Sequence, residues 1–204
     1  MGIANCLNTG AGTTGQVLAT QGASSPPNYV NNTTTSCGQL LSTQTASSSS
    51  VVQFTSVISG TYINYRVIGY GITTTNQNFW LQMSANNGTS YITTSYSANS
   101  IEYVQSGTPS AALATNAATT AVKMATSLPT SGAYTASIIL DIFNPAGGYV
   151  NVRYIVAFYN NGSSIYGATR GSGFCTSSSA INAIQFLSNG GNFPTGTFKM
   201  YGLN

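Results

Sequence analysis

The chain has 204 residues, of which 42% are hydrophobic and only 3% charged, with a net charge of +3 and no histidine. That length holds one domain with a sizeable core, and the charge content is far below the roughly 25% of an average protein, so hydroxyls and amides must cover the surface. Arg66, Lys123, Arg153, Arg170 and Lys199 are spread along the sequence without a basic run, which excludes the clustered cations that nucleic-acid binding needs.

Residues 1–36 are polar and punctuated by glycine and proline, and Pro26-Pro27 favours an extended path. The stretch Gly15–Gln21 is echoed at Gly38–Gln44, which predicts short extended modules ahead of the main domain. Strand signals follow. Residues 51–58 are β-branched with partial alternation, and in 61–72 Ile63, Tyr65 and Val67 share one face while Tyr62, Arg66, Ile68 and Tyr70 share the other. Residues 78–85 read as a strand that turns at Asn86-Asn87-Gly88 into a partner at 89–96. Residues 105–132 read either as one short helix or as a long connection.

The clearest hairpin is 134–159. Ile138, Leu140 and Ile142 alternate before the turn, and Val150, Val152, Tyr154, Val156 and Phe158 alternate after it. A turn centred near Ala146 sets Leu140 opposite Val152 and Asp141 diagonal to Arg153. A last pair, 180–188 and 195–204, closes the chain. Eight to ten strands with at most one helix predict an all-β fold, an antiparallel β-sandwich of jelly-roll type over 37–204. Its edges and apolar faces suit a homotrimer.

Several chemistries are excluded. Without histidine there is no Ser-His-Asp triad, no Cys-His pair and no histidine metal site. Gly10-Ala11-Gly12 and Gly171-Ser172-Gly173 sit in no strand-to-helix unit and are not phosphate loops. Cys6, Cys37 and Cys175 read as free thiols of a protein made in a reducing cytoplasm. No secretory signal and no membrane-spanning run of ~18 apolar residues is expected. Glu102 and Asp141 are the only carboxylates; two suffice for glycoside hydrolysis, but Arg153 accounts for Asp141 and Glu102 reads as an outward strand residue. No enzyme activity, cofactor or metal is expected. The aromatic residues carry the contact chemistry. Phe79 and Trp80 read as core or trimer interface, and Tyr91, Tyr96, Tyr103 and Tyr166 as exposed loop residues able to touch a receptor.

The segment 12–30, GTTGQVLATQGASSPPNYV, resembles a motif that recurs in fibre and tail proteins of tailed bacteriophages, Gly-Thr-x-Gly-Gln-Val-Leu-x-Ser/Thr-x-Gly-Ala-x-x-Pro-Pro-x-aromatic, where it precedes a C-terminal β-domain. Gly12, Thr13, Gly15, Gln16, Val17, Leu18, Thr20, Gly22, Ala23, Pro26, Pro27 and Tyr29 match it; tyrosine replaces the usual tryptophan at the last position. The ending GTFKMYGL (196–203) is similar to the close of many phage virion β-sandwich proteins. Together the two cover under a fifth of the chain. The resemblance implies a virion-surface structural protein: a short tail fibre or spike subunit that displays its head to a host-surface glycan or protein, or alternatively a capsid decoration or head-fibre protein. A glycan-degrading enzyme is the lesser alternative. An uncharged Pro-Pro segment gains little by folding alone and orders by backbone pairing with copies or with another virion protein. Gly15, Gln16, Val17, Leu18, Pro26, Pro27 and Tyr29 are therefore expected to form an N-terminal docking segment within residues 1–36, with no insertion into a membrane.

Overall fold

Alternating apolar residues at nearly every strand demand two sheets that bury facing sides, and the fold meets that demand. The computed structural model describes residues 16–19, 28–31, 38–106, 108–130, 133–160 and 165–204. The chain divides into two units, Met1–Cys37 and Gly38–Asn204. In the first, β1 (Gln16–Ala19) pairs antiparallel with β2 (Asn28–Asn31), with Leu18 opposite Tyr29. Part of the backbone pairing expected from a partner is thus made within the motif itself. Gly15, Pro26 and Pro27 lie outside the described residues.

The second unit contains twelve strands among its described residues, more than the eight to ten expected. They are β3 (Gln39–Ser49), β4 (Val51–Phe54), β5 (Asn64–Ile72), β6 (Phe79–Ser84), β7 (Tyr96–Ser106), β8 (Thr108–Thr119), β9 (Val122–Ala125), β10 (Ala136–Phe143), β11 (Val150–Asn160), β12 (Ile165–Cys175), β13 (Ala183–Leu187) and β14 (Phe193–Leu203). One sheet runs β3-β14-β5-β10-β11-β12-β7-β8 and the other β4-β13-β6-β9. Setting aside two hairpins, β7–β8 and β11–β12, leaves two four-stranded sheets, β3-β14-β5-β10 and β4-β13-β6-β9. That order is the jelly roll: the first strand lies beside the last, the second beside the last but one. Both hairpins extend the larger sheet beyond β10.

The core lies between the sheets. Phe54, Phe79 and Phe186 reach in from the smaller sheet to meet Phe193 and Phe198 of β14. Phe186 stacks on Phe79 at 5.3 Å and on Phe198 at 5.1 Å between ring centroids, the offset geometry aromatic rings favour. Gly69 makes room: a Cβ there would come within 3.0 Å of the Phe198 ring. Tyr154 ties the layers together by donating from its hydroxyl to the Lys123 carbonyl at 3.1 Å. Burial pushes its pKa up to about 12, so it stays a neutral donor.

The expected alternation in β10 and β11 is present: Ile138, Leu140, Ile142, Val150, Val152, Tyr154, Val156 and Phe158 are all buried. The register differs by two residues, which keeps the same side chains inside. Leu140 faces Tyr154, and Asp141 lies directly opposite Arg153. Asn144 takes a left-handed conformation and Pro145–Gly147 winds into a 3-10 turn, which moves the centre of the hairpin to Gly147. Ile63 precedes β5 and is exposed, not aligned with Tyr65 and Val67.

Three further expectations are corrected. The echo at Gly38–Gln44 is not a separate module but falls in β3, an edge strand of the larger sheet. The Asn86–Thr89 turn forms, with Asn87 and Gly88 both at positive φ, yet 89–96 does not continue as a partner strand. Asn86 Oδ1 accepts from Ser90 N at 2.9 Å, and past Ile92, which donates to the Met83 carbonyl, the chain leaves for the other sheet. Residues 105–132 hold β8 and β9 in place of a helix or a long connection; β8 pairs with β7 along its length.

The outer face of the smaller sheet carries an amide ladder. Gln53 donates to Gln185 at 3.1 Å, Gln185 to Gln82 at 2.7 Å, and Gln82 to the Thr120 carbonyl at 2.8 Å. Gln82 and Gln185 are buried, so each link replaces a lost water contact. Gln185→Ala strands both neighbours and is expected to lower stability by about 1–3 kcal/mol, read from the midpoint of urea unfolding.

Candidate functional site: the outer face of the eight-stranded sheet

Pairing register decides which side chains share this face. On the row through the middle of the sheet, Lys199, Ile68, Ile139, Ile155, Arg170 and Ile101 lie opposite one another on β14, β5, β10, β11, β12 and β7. The next row sets Tyr201, Arg66, Asp141, Arg153, Ser172 and Asn99 across the same strands. A third continues through Ser137, Ala157, Ala168 and Tyr103.

Four of the five basic residues therefore project from one face, although they are far apart in the sequence. This corrects the expectation that they form no patch. Those four cations and Asp141 sum to +3, the net charge of the whole protein; the remaining pair, Lys123 and Glu102, cancels. Beside them the four isoleucines stand exposed, at 37% (Ile68), 45% (Ile139), 42% (Ile155) and 37% (Ile101). Ile68, Ile139 and Ile155 adjoin and Arg170 separates them from Ile101; an exposed apolar strip rimmed by charge has the character of a contact surface.

Asp141 organises the centre of the face. Arg66 Nε donates to its Oδ1 at 2.6 Å and Arg153 Nη2 to its Oδ2 at 2.9 Å. Burial alone would push the carboxyl up, but the hydrogen bonds and charges of Arg66 and Arg153 outweigh it and hold the group below the ordinary carboxylate range. Arg153 also covers the Phe143 ring at 5.9 Å, and Lys199 the Tyr70 ring at 5.8 Å. Arg170 has no acidic partner among the described residues.

A groove of about 740 Å³ opens between β7, β12 and β11. Asn99, Ile101, Arg153, Ile155, Arg170 and Ser172 line it. Its walls offer guanidinium, amide and hydroxyl groups around two aliphatic side chains.

The expected contact tyrosines separate into two groups. Tyr103 (48% exposed) and Tyr166 (62%) lie on this face, on strands rather than loops. Tyr166 continues a ring series with Tyr159 at 4.3 Å and Tyr134 at 4.5 Å from Tyr159. Tyr96 is not exposed: it is 1% accessible, its hydroxyl accepts from Met83 N at 2.8 Å, and burial raises its pKa. Tyr91 is half-buried with its hydroxyl inside, and burial raises its pKa too. Neither presents a contact. Phe79 is core as expected, whereas Trp80 is half-buried on the outer side of the smaller sheet beneath Lys123, 5.2 Å from its ring.

Glu102 is not outward. It shares its side of β7 with buried Ser100 and accepts from Thr126 Oγ1 at 3.1 Å and Ser127 Oγ at 2.7 Å. Glu102 and Asp141 thus project from opposite faces of one sheet and cannot flank a single glycosidic bond. Among the described residues no three His, Cys, Asp or Glu side chains gather to hold a metal. Cys175 is buried, which raises its thiol pKa; Cys6 and Cys37 lie outside the described residues.

The chain matches no protein-family model and no curated protein sequence.

Asp141 makes a pH prediction. Its folded pKa lies below the unfolded value of about 3.9, so its contribution is complete above that value and is lost as pH falls through the lower folded one. Thermal unfolding is expected to be flat from about pH 5 to 8, where no histidine titrates, and to fall below about pH 4. Asp141→Asn should cost about 1–2 kcal/mol at neutral pH and flatten the acid limb in the same scan.

Proposed function

We propose that this protein is a non-catalytic structural component of a tailed-phage virion, docked by its N-terminal segment and displaying the jelly-roll head, as a homotrimer, for attachment to a host surface. The observation that carries the reading is the motif of residues 12–30 placed ahead of an antiparallel sandwich. Three structural facts support it. The head unit is separate from the unit that holds the motif. Both carboxylates are engaged in structural contacts, Asp141 with two arginines and Glu102 with two hydroxyls. The exposed isoleucines and the net charge coincide on one face, as a contact surface requires.

A capsid-bound head fibre would share the motif, the fold and the docking logic, and differs only in address. Labelled antibody raised against 38–204 is expected to decorate the tail of intact particles; decoration of the capsid shell would select the head-fibre reading, and no decoration would remove both. Deleting residues 1–36 should abolish incorporation into particles while the head still unfolds cooperatively. Solution mass is expected at three times the chain mass.

A further inference from the structure

We propose that the groove between β7, β12 and β11 binds the acidic group of a saccharide, a carboxylate or a phosphate ester, with Arg170 as the principal anchor. This deepens the attachment reading and rests on it.

Arg170 carries the argument. It lies directly between Ile155 and Ile101 across its two ladders. In a chain with two carboxylates, neither meets it: Asp141 has one oxygen on Arg66 and the other on Arg153, and Glu102 is on the opposite side of the sheet. Arg170 is exposed, and with no acidic partner among the described residues its charge is uncompensated and open to an arriving anion. Arg153 spends one nitrogen on Asp141 and retains others toward the groove. A planar guanidinium offers paired donors that match a carboxylate or a phosphate.

The rest of the lining selects a sugar over a simple ion. Asn99 and Ser172, opposite each other on β7 and β12, supply an amide and a hydroxyl for ring hydroxyls. Beyond the lining, the next row carries Ala157 and Ala168 and then Tyr103, an exposed ring of the kind that stacks on sugars. The volume of about 740 Å³ lies in the range of small-ligand sites. No carboxylate lines the groove, and the one beside it, Asp141, is held by two arginines. A protein partner would instead be expected to seat on the whole isoleucine strip, and Ile139 tells the two apart because it lies outside the groove.

The test uses the full-length protein and four probes: trigalacturonate for the carboxylate source, mannose 6-phosphate for the phosphate source, uncharged maltotriose, and inorganic phosphate. Titration calorimetry gives affinity, and amide NMR shifts give location. At least one acidic saccharide is expected to bind about tenfold or more tightly than maltotriose, with shifts centred on Asn99, Arg170 and Ser172, and more weakly as salt rises. Arg170→Ala should weaken it about tenfold or more, Arg170→Lys should restore part, and Ile139→Ser should leave it unchanged. Equal binding of maltotriose, full affinity in Arg170→Ala, inorganic phosphate binding as well as either sugar, or no binding of either acidic saccharide at millimolar concentration would each overturn the proposal. Loss affecting Ile139→Ser as strongly as Arg170→Ala would overturn it in favour of a broad protein interface. None of these outcomes touches the antibody labelling of particles, so the site and the virion assignment fail separately.

Discussion

The period-two pleat is the constraint on which everything else in this molecule rests. A strand sends alternate residues to opposite sides, and this chain has almost no ions with which to mark the outer side. Packing has to do the marking. Phe54, Phe79, Phe186, Phe193 and Phe198 fill one layer between the sheets, and once they are inside, the parity of every neighbouring residue is fixed. The exposed isoleucines and the cations share a face because they share that parity, not because any local signal gathers them.

The same constraint explains what could be read from the residues. The strands β10 and β11 were legible because Ile138, Leu140 and Ile142 answer Val152, Tyr154 and Val156 in strict alternation. Their pairing was legible only to within two residues, since Asn144 and the 3-10 turn that follows it absorb length that composition does not reveal. The strand β8 was not legible: its alanines and threonines have no contrast between faces, and it exists because β7 pairs with it. Tyr96 was misread for a related reason. It sits at the start of a strand among serines, and its place on the inward side, with Met83 N on its hydroxyl, became visible only in the fold.

The contact face was the least legible part. Arg66, Arg153 and Arg170 are separated by long stretches of chain, and the glycine-rich run around Arg170 carries little strand signal. Their convergence depends on the order β5-β10-β11-β12, a tertiary fact. Once that order is known, the outward positions follow by counting in twos, and Ile68, Ile139, Ile155 and Ile101 line up beside them. Asp141, placed between two guanidinium groups, offsets the repulsion between the two arginines.

The two inserted hairpins divide labour in the head. The eight framework strands close the sandwich, and their links, from the phenylalanine layer to the glutamine ladder, lie within that framework. Arg153, Arg170, Ser172, Asn99 and Tyr103 all belong instead to β11, β12 and β7. The proposed groove is therefore carried by strands added to the framework, whose inward residues nevertheless belong to the core. Any exchange of those hairpins would have to keep the inward half of each strand, Tyr154 on Lys123 and Tyr96 on Met83, while its outward half was free to vary.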